Sequence, residues 1–381
     1  MKKIVSTLLL VLAASVAAAA QTPGGAAREG LSSLPESQAV LYVNARRITN
    51  DALPRVLPVA QLDKFFGDLQ KQVNVDLRAV EYVVLGVRYG DSLATGAVPD
   101  FGVAVRGGFS ADALLSLARM AQPGQYRPET HAGKTLDIYK MDFGGAGGSP
   151  NAAKPPPVKL PSEIALVSFG ADELMVGTPA YLRAALDARS AGAGRLRADL
   201  VDLALRNPDT LLSLAGDLPP GLSTHIEAAM GAAPTGGGAH AGMMNEIKRL
   251  AASLRQLRMS VNMTATDFGV ETTMRTERAE DARALSGLVK MGVGMGEQEI
   301  SKDLGAGKTA QKRADAQKAL AVLKSLTNET RDNEVTLGIS AAQSTVAELV
   351  KGMTAKPAPK TAAPAATTRR GARRAPARRR P

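Results

Sequence analysis

The chain contains no cysteine and no tryptophan, and aromatic residues make up only 3% of it. Without thiols there can be no disulfide, no cysteine nucleophile, no cysteine-ligated zinc and no iron–sulfur cluster. Three histidines, His131, His225 and His240, stand far apart, and no two share an element at metal-ligand spacing. They read as surface or capping residues. No Gly-x-Ser-x-Gly elbow occurs. A Ser/His/Asp site assembled from distant residues, a hydrolase with a dispersed site, stays open only as a further alternative. No stretch after the N-terminal apolar run is long and apolar enough to span a bilayer. The sequence points to no catalytic residue, no cofactor and no metal, so it leans away from an enzyme.

What remains is ordinary globular material. Of 381 residues, 45% are hydrophobic and 22% charged, enough for two or three domain-sized units with real cores. The N-terminus reads as a secretory signal peptide over residues 1–20: Lys2 and Lys3, then the apolar run from Ile4 to Val16, then Ala18, Ala19 and Ala20 before a cleavage point. The expected location is extracytoplasmic, periplasm or medium, in a bacterium. A cysteine-free chain suits an oxidising compartment.

The net charge of +11 is unevenly placed. Residues 355–381 carry Lys356, Lys360, Arg369, Arg370, Arg373, Arg374, Arg378, Arg379 and Arg380 and no acid. Once those nine and the two signal-peptide lysines are set aside, the body is neutral. The pI near 9.8 therefore belongs to the tail and is no argument for a basic face on the folded part. Residues 354–381 are Ala, Pro, Thr, Lys and Arg almost throughout and are expected to be disordered. Such a tail attracts polyanions: anionic lipids, lipopolysaccharide or acidic wall polymers. It lacks interleaved aromatics for stacking on bases, which argues against sequence-specific nucleic-acid binding.

Gly- and Pro-rich stretches mark a flexible lead at 21–34 and loops at 144–161 and 231–242. Between them strand and helix patterns alternate. Ser110 and Thr178-Pro179 read as helix starts, the first with Phe109 stapling onto Leu114. Gly170-Ala171-Asp172 reads as a hairpin turn. Leu257, Met259, Val261 and Met263 alternate with Arg258, Ser260 and Asn262, which predicts a strand with its polar side facing water.

Two segments repeat in order. Asp100-Phe101-Gly102-Val103 returns as Asp267-Phe268-Gly269-Val270, each opening a strand before an amphipathic helix. Asp172 to Gly177 is echoed by Asn333 to Gly338, each again before a helix. The offsets of 167 and 161 residues are close enough for one duplication. The predicted fold is α+β: two related modules, 35–206 and 207–353, each an antiparallel sheet with helices packed on one face.

In this plan the chain resembles exported bacterial proteins of uncharacterised domain families. The resemblance lies in the Leu34-Pro35 entry into a first strand, Ala39 to Val43, and in a closing helix, charged turn and strand at Ala319–Thr327, Asn328–Asn333 and Glu334–Ile339. It implies the architecture and brings no site residues with it.

Other motifs dissolve on inspection. Gly305-Ala306-Gly307-Lys308-Thr309 has Lys302 where a phosphate-binding loop needs glycine. Asp-Phe-Gly occurs without the partners of a kinase. Glu277, Glu280 and Asp281 suit a helix N-terminus. The methionines of the second module, among them Met244, Met259, Met263, Met274 and Met291, read first as core filling and second as an adaptable apolar groove, with the helix from Ala310 to Leu326 as its cover. The leading functional expectation is a non-enzymatic envelope-associated scaffold or binding protein tethered by its tail. The alternative is a periplasmic carrier of an apolar ligand in the methionine-lined groove.

Overall fold

The computed structural model describes residues 25–73, 75–90, 97–141, 161–192, 196–207, 209–219, 239–305 and 310–354. The signal-peptide reading, most of both glycine-rich loops, His225 and the basic tail lie outside them, as do the side chains of His240 and Met244.

The strands form one antiparallel sheet. β1 is Ala39–Val43, β2 Val80–Arg88, β3 Asp100–Gly107, β4 Tyr126–His131, β5 Lys134–Lys140, β6 Glu163–Gly170, β7 Glu173–Gly177, β8 Thr210–Asp217, β9 Leu254–Met263, β10 Asp267–Thr276, β11 Thr327–Arg331 and β12 Glu334–Ala342. Their order across the sheet is β11-β12-β10-β9-β8-β1-β2-β3-β7-β6-β5-β4. Whether the two expected modules share a sheet is open from the sequence; in the structure one continuous sheet runs through both halves of the chain. Its seam is the antiparallel β1–β8 pair, with Leu41 opposite Leu214. Outward from that seam one flank runs β1, β2, β3, β7, β6 and the other β8, β9, β10, β12, β11. β5 and β4 extend the first flank alone.

The helices are α1 Gly25–Ser32, then α2, a segment spanning residues 45–56 with a π turn at Ile48–Ala52, then α3 Val59–Val73, α4 Ala111–Ala121, α5 Pro179–Ser190, α6 Ala198–Ala204, α7 Ala239–Ser253, α8 Ala279–Gly305, α9 Ala310–Lys324 and α10 Gln343–Thr354. Ser110 caps α4 by accepting from the Ala113 backbone N–H, as its position suggests. Thr178 precedes Pro179 at the start of α5, but its hydroxyl donates to Asp100 and accepts from the Phe101 N–H instead of capping the helix.

Directly paired residues share a face, so register assigns every side chain. Leu41, Leu85, Val103, Val176, Leu214, Met259 and Leu337 lie on what we term the front; Val40, Tyr42, Val84, Ala104 and Met175 lie on the back. In the first flank both faces are covered. On the back, α1, α5 and α6 bring Leu31, Leu182, Leu186, Leu200 and Leu203 into one core with Tyr82, Val84, Ile138 and Val167. On the front, α4 seats Ala111 and Leu115 against Ile164, Leu166, Leu174 and Val176, and α3 seats Leu62 and Phe66 beside Val75 and Leu77. The expectation of helices on one face is corrected here. Apolar residues alternate too densely along β2, β6 and β7 for either face to be left wet, and a strand with two apolar faces needs two covering layers.

The ends of the chain's second half also differ from expectation. Asn328 belongs to strand β11, and the turn into β12 is Asp332-Asn333, with Asp332 at a φ of 50°. His131 closes strand β4.

Candidate functional site

The second flank inverts the usual division of labour. Along β9 the residues that read as the wet face, Arg258, Ser260 and Asn262, are buried, while Met259 is exposed and Leu257 and Val261 are only half-buried. The alternation is present; the faces are exchanged. The physical reason lies in the neighbours. On the back, the polar residues of β9 meet polar partners on β8 and β10 and the Arg206 segment after α6, so they bury one another. On the front, the described helices leave the middle of the sheet open.

That open floor is apolar. Leu214 on β8, Met259 on β9, Val270 on β10 and Ile339 on β12 are 40%, 42%, 47% and 37% exposed. Register places all four on the front. Leu41 and Val261 continue the strip at partial burial. One wall is α8: its Ser286 hydroxyl donates to Asn328 Oδ1 at 2.8 Å, and Asn328 sits opposite Leu337 on the front. On the other side stands α2, whose Ile48 and Ala52 pack with Val261, Met263 and Phe268. α9, α10 and β12 enclose a cleft of about 480 Å³ lined by Ala319, Val322, Ala341, Thr345 and Glu348, a volume typical of small-ligand sites. Exposed apolar residues also stand on the helices: Val59 and Phe65 on α3, Leu117 and Met120 on α4, Met291 and Met295 on α8, and Val322 on α9.

The five methionines of the groove hypothesis separate. Met259 lies exposed on the floor, Met274 half-buried on the same face, and Met291 exposed on α8. Met263 is buried in a small core cluster with Ala52 and Leu211. The residues that open the front most, Leu214, Val270 and Ile339, are not methionines. Sequence reasoning missed them because an aliphatic residue in a strand reads as core. The only available signal was that β10, with Gly269, Glu271, Thr272 and Thr273, has too few apolar residues to hold a covering layer.

The back of the second flank is a polar network. Arg206 donates to Glu334 at 2.6 and 3.0 Å, Arg275 donates to Glu334 at 2.6 and 2.9 Å, and Arg275 also reaches Gln256. Gln256 donates at 3.0 Å to both Asp199 and Asp217. Hydrogen bonds from Arg206, aided by Arg275, hold the Glu334 carboxyl below the ordinary range. Arg258 is fully buried and donates to Glu271. Burial lowers its affinity for the proton, against the pull of Glu271. Asp281, read as a helix-N-terminal acid, is fully buried and accepts from Arg249 and Arg278. His131 meets Asp187 at 2.7 Å on the surface; the Ser190 hydroxyl donates to the Asp187 backbone carbonyl, and among the described residues no serine hydroxyl is bonded to the imidazole or to the Asp187 carboxylate.

No family model matches the chain, and no curated protein does. Among solved structures it is similar to crystal form III of TP0453, with a TM-score of 0.40 and 9% identity over 85% of this chain and 98% of that one. It is similar also to crystal form IV of TP0453, with a TM-score of 0.39 and 8% identity over 84% and 96%. At that distance the site has to be read from its own residues. No described helix is long and apolar enough to cross a membrane.

Proposed function

We propose that this chain is an exported, non-enzymatic binding protein for lipids with anionic head groups, laying their acyl chains along the front of the second flank. The observation that carries this is the contiguous exposure of Leu214, Met259, Val270 and Ile339 across four neighbouring strands. Burying such a strip is favourable in proportion to its area, and a floor of aliphatic and thioether groups sets no demand on the shape of a flexible chain. The head-group preference comes from charge. α10 borders the cleft and ends at Thr354, and the nine cations of residues 355–381 follow it directly. A chain with such a tail and an apolar floor suits a molecule with an acyl chain at one end and negative charge at the other. The expected signal peptide over residues 1–20 supports an activity outside the cytoplasm. The tail-tethered scaffold is the simpler reading; it leaves the apolar floor without a role.

The test is sedimentation of the full chain with phosphatidylglycerol and with phosphatidylcholine vesicles across a salt series. Met259→Glu and Leu214→Glu, both at exposed positions, are expected to weaken binding to phosphatidylglycerol at least tenfold. A full-length variant with the nine tail cations changed to Gln is expected to lose the preference for phosphatidylglycerol and the salt sensitivity. Unchanged binding by Met259→Glu and Leu214→Glu would show that the floor takes no lipid, and would leave the tail as a tether for any acidic polymer.

The same reading extends to ancestry. We infer two modules, near 35–206 and 207–353, that arose by duplication. Support comes from the matching strand orders on either side of the seam and from the echo of Asp172 to Gly177 in Asn333 to Gly338, whose Val176 and Leu337 fall at matching positions; the two Asp-Phe-Gly-Val copies open β3 and β10 two residues out of that register.

A further inference from the structure

The back of the second flank carries a group of buried donors without acceptors. Arg258 Nε and Nη2, Ser260 Oγ and Ser213 Oγ are shielded from solvent and have no hydrogen-bond partner. Native interiors rarely leave such atoms alone, and each costs about 1–3 kcal/mol if it stays unpaired. Among the described residues no other side chain has two orphaned donors.

Their arrangement is specific. Ser260 lies two residues along β9 from Arg258, on the same face, and Ser213 of β8 lies directly opposite Ser260. Cβ atoms in such cross-strand pairs stand about 5 Å apart. Arg258 has committed only Nη1, to Glu271 on the next strand. Nε and Nη2 form the side-on edge of the guanidinium, the fork that meets both oxygens of a carboxylate at once. A carboxylate brings two oxygens and about four lone-pair sites, which matches two guanidinium N–H groups and two hydroxyls. Glu271 pairs with Arg258 and Glu334 with the nearby Arg206, so what draws an anion to the free edge is the two unpaired guanidinium N–H groups, not a surplus of positive charge. Glu271, the charged partner of Arg258, is 27% exposed.

We propose that Arg258, Ser213 and Ser260 form an internal site for a small carboxylate. It lies on the opposite face of the sheet from the lipid floor and stands independently of it.

The experiment is saturation-transfer difference NMR of formate with the full chain. Formate contacts with the basic tail are common to all variants, so the readout is the difference between them. The wild-type chain is expected to give a formate signal that falls at least fivefold in Arg258→Met. The paired change Ser213→Ala with Ser260→Ala removes no charge and should reduce it as well, which keeps the test decisive should Arg258→Met not fold. A wild-type signal no greater than that of either variant would overturn the proposal and assign the four donors to buried water.

Discussion

Counting outward from the Leu41–Leu214 pair, the two flanks put different chemistry at matching positions. Tyr82, Val84 and Gly86 of β2 stand where Gln256, Arg258 and Ser260 of β9 stand, and Gly102 and Ala104 of β3 where Glu271 and Thr273 of β10 stand. In the first flank the two glycines have a clear use. A Cβ on Gly86 would fall 1.8 Å from the Tyr181 hydroxyl, and one on Gly102 would fall 2.5 Å from the Tyr181 ring. Their bareness lets α5 lower Tyr181 onto the sheet, where its hydroxyl meets Ser37 at 2.7 Å. In the second flank Ser260 and Glu271 occupy that space, and no aromatic could enter by the same route. The helix after β12, α10, packs against α2. Two changes from glycine to side chain, at Ser260 and Glu271, thus accompany the shift from a helix-covered apolar core to a polar network, and the middle of the front of the same flank is left open. The lesson is that a repeated topology fixes where strands go but not which face is hidden.

Removing the counter-charge should break this comparison most severely. Glu271→Ala leaves Arg258 fully buried with no anionic partner among the described residues. Loss of one member of a buried pair costs about 3–5 kcal/mol. The double change Arg258→Met with Glu271→Ala moves the position toward the Val84 and Gly102 chemistry of the first flank and should recover most of that loss. Urea denaturation of the three proteins measures it. A single change no worse than about 0.5 kcal/mol would mean that Arg258 is solvated in a way the network does not suggest.

The reciprocal change acts on the first flank. Gly86→Ser installs the residue found at the matching position of β9 and drives its Cβ into the Tyr181 hydroxyl. Overpacking of this kind costs about 1–3 kcal/mol. Because the clash is with one side chain, Tyr181→Ala in the same protein should relieve it, so the two changes should be strongly non-additive. Simple additivity would show that Tyr181 is not what the glycine accommodates.

Most of the strands and helix starts were legible from the sequence, because period-two alternation and cap residues act locally. Ser110 and the turn at Gly170-Ala171-Asp172 show this. The assignment of faces in β9 was not: alternation states that two faces differ, and only the neighbours decide which one is buried. Leu254 to Met263 fits either answer until Arg258 is seen beside Glu271. β4 was missed because Tyr126, Arg127, Pro128 and Glu129 have neither alternation nor β-branched residues; it is an edge strand held by its hairpin with β5. The floor residues Leu214, Val270 and Ile339 were illegible as a site because nothing in a strand's own residues tells whether a helix will lie over it.

The mildest expected effect comes from the edge strand that extends the first flank alone. Glu129 of β4 accepts from Arg183 of α5 at 2.6 and 2.8 Å and from Arg127 at 3.1 Å. The Arg183 fork above all holds its carboxyl at about 2, down from an ordinary value of 4.5. A carboxyl whose proton affinity is lowered by folding stabilises the folded state above its unfolded value, and that contribution is lost as pH falls toward the folded one. Glu129→Gln should therefore be less stable than the wild type at neutral pH, by less than about 1 kcal/mol for so exposed a pair. The gap should be constant above pH 5 and close between 4.5 and 2. Parallel unfolding curves for the two proteins over that range check the sign: a gap that widened on acidification would show that the Arg183 fork does not govern this carboxylate, and that β4 is held by its backbone pairing with β5 alone.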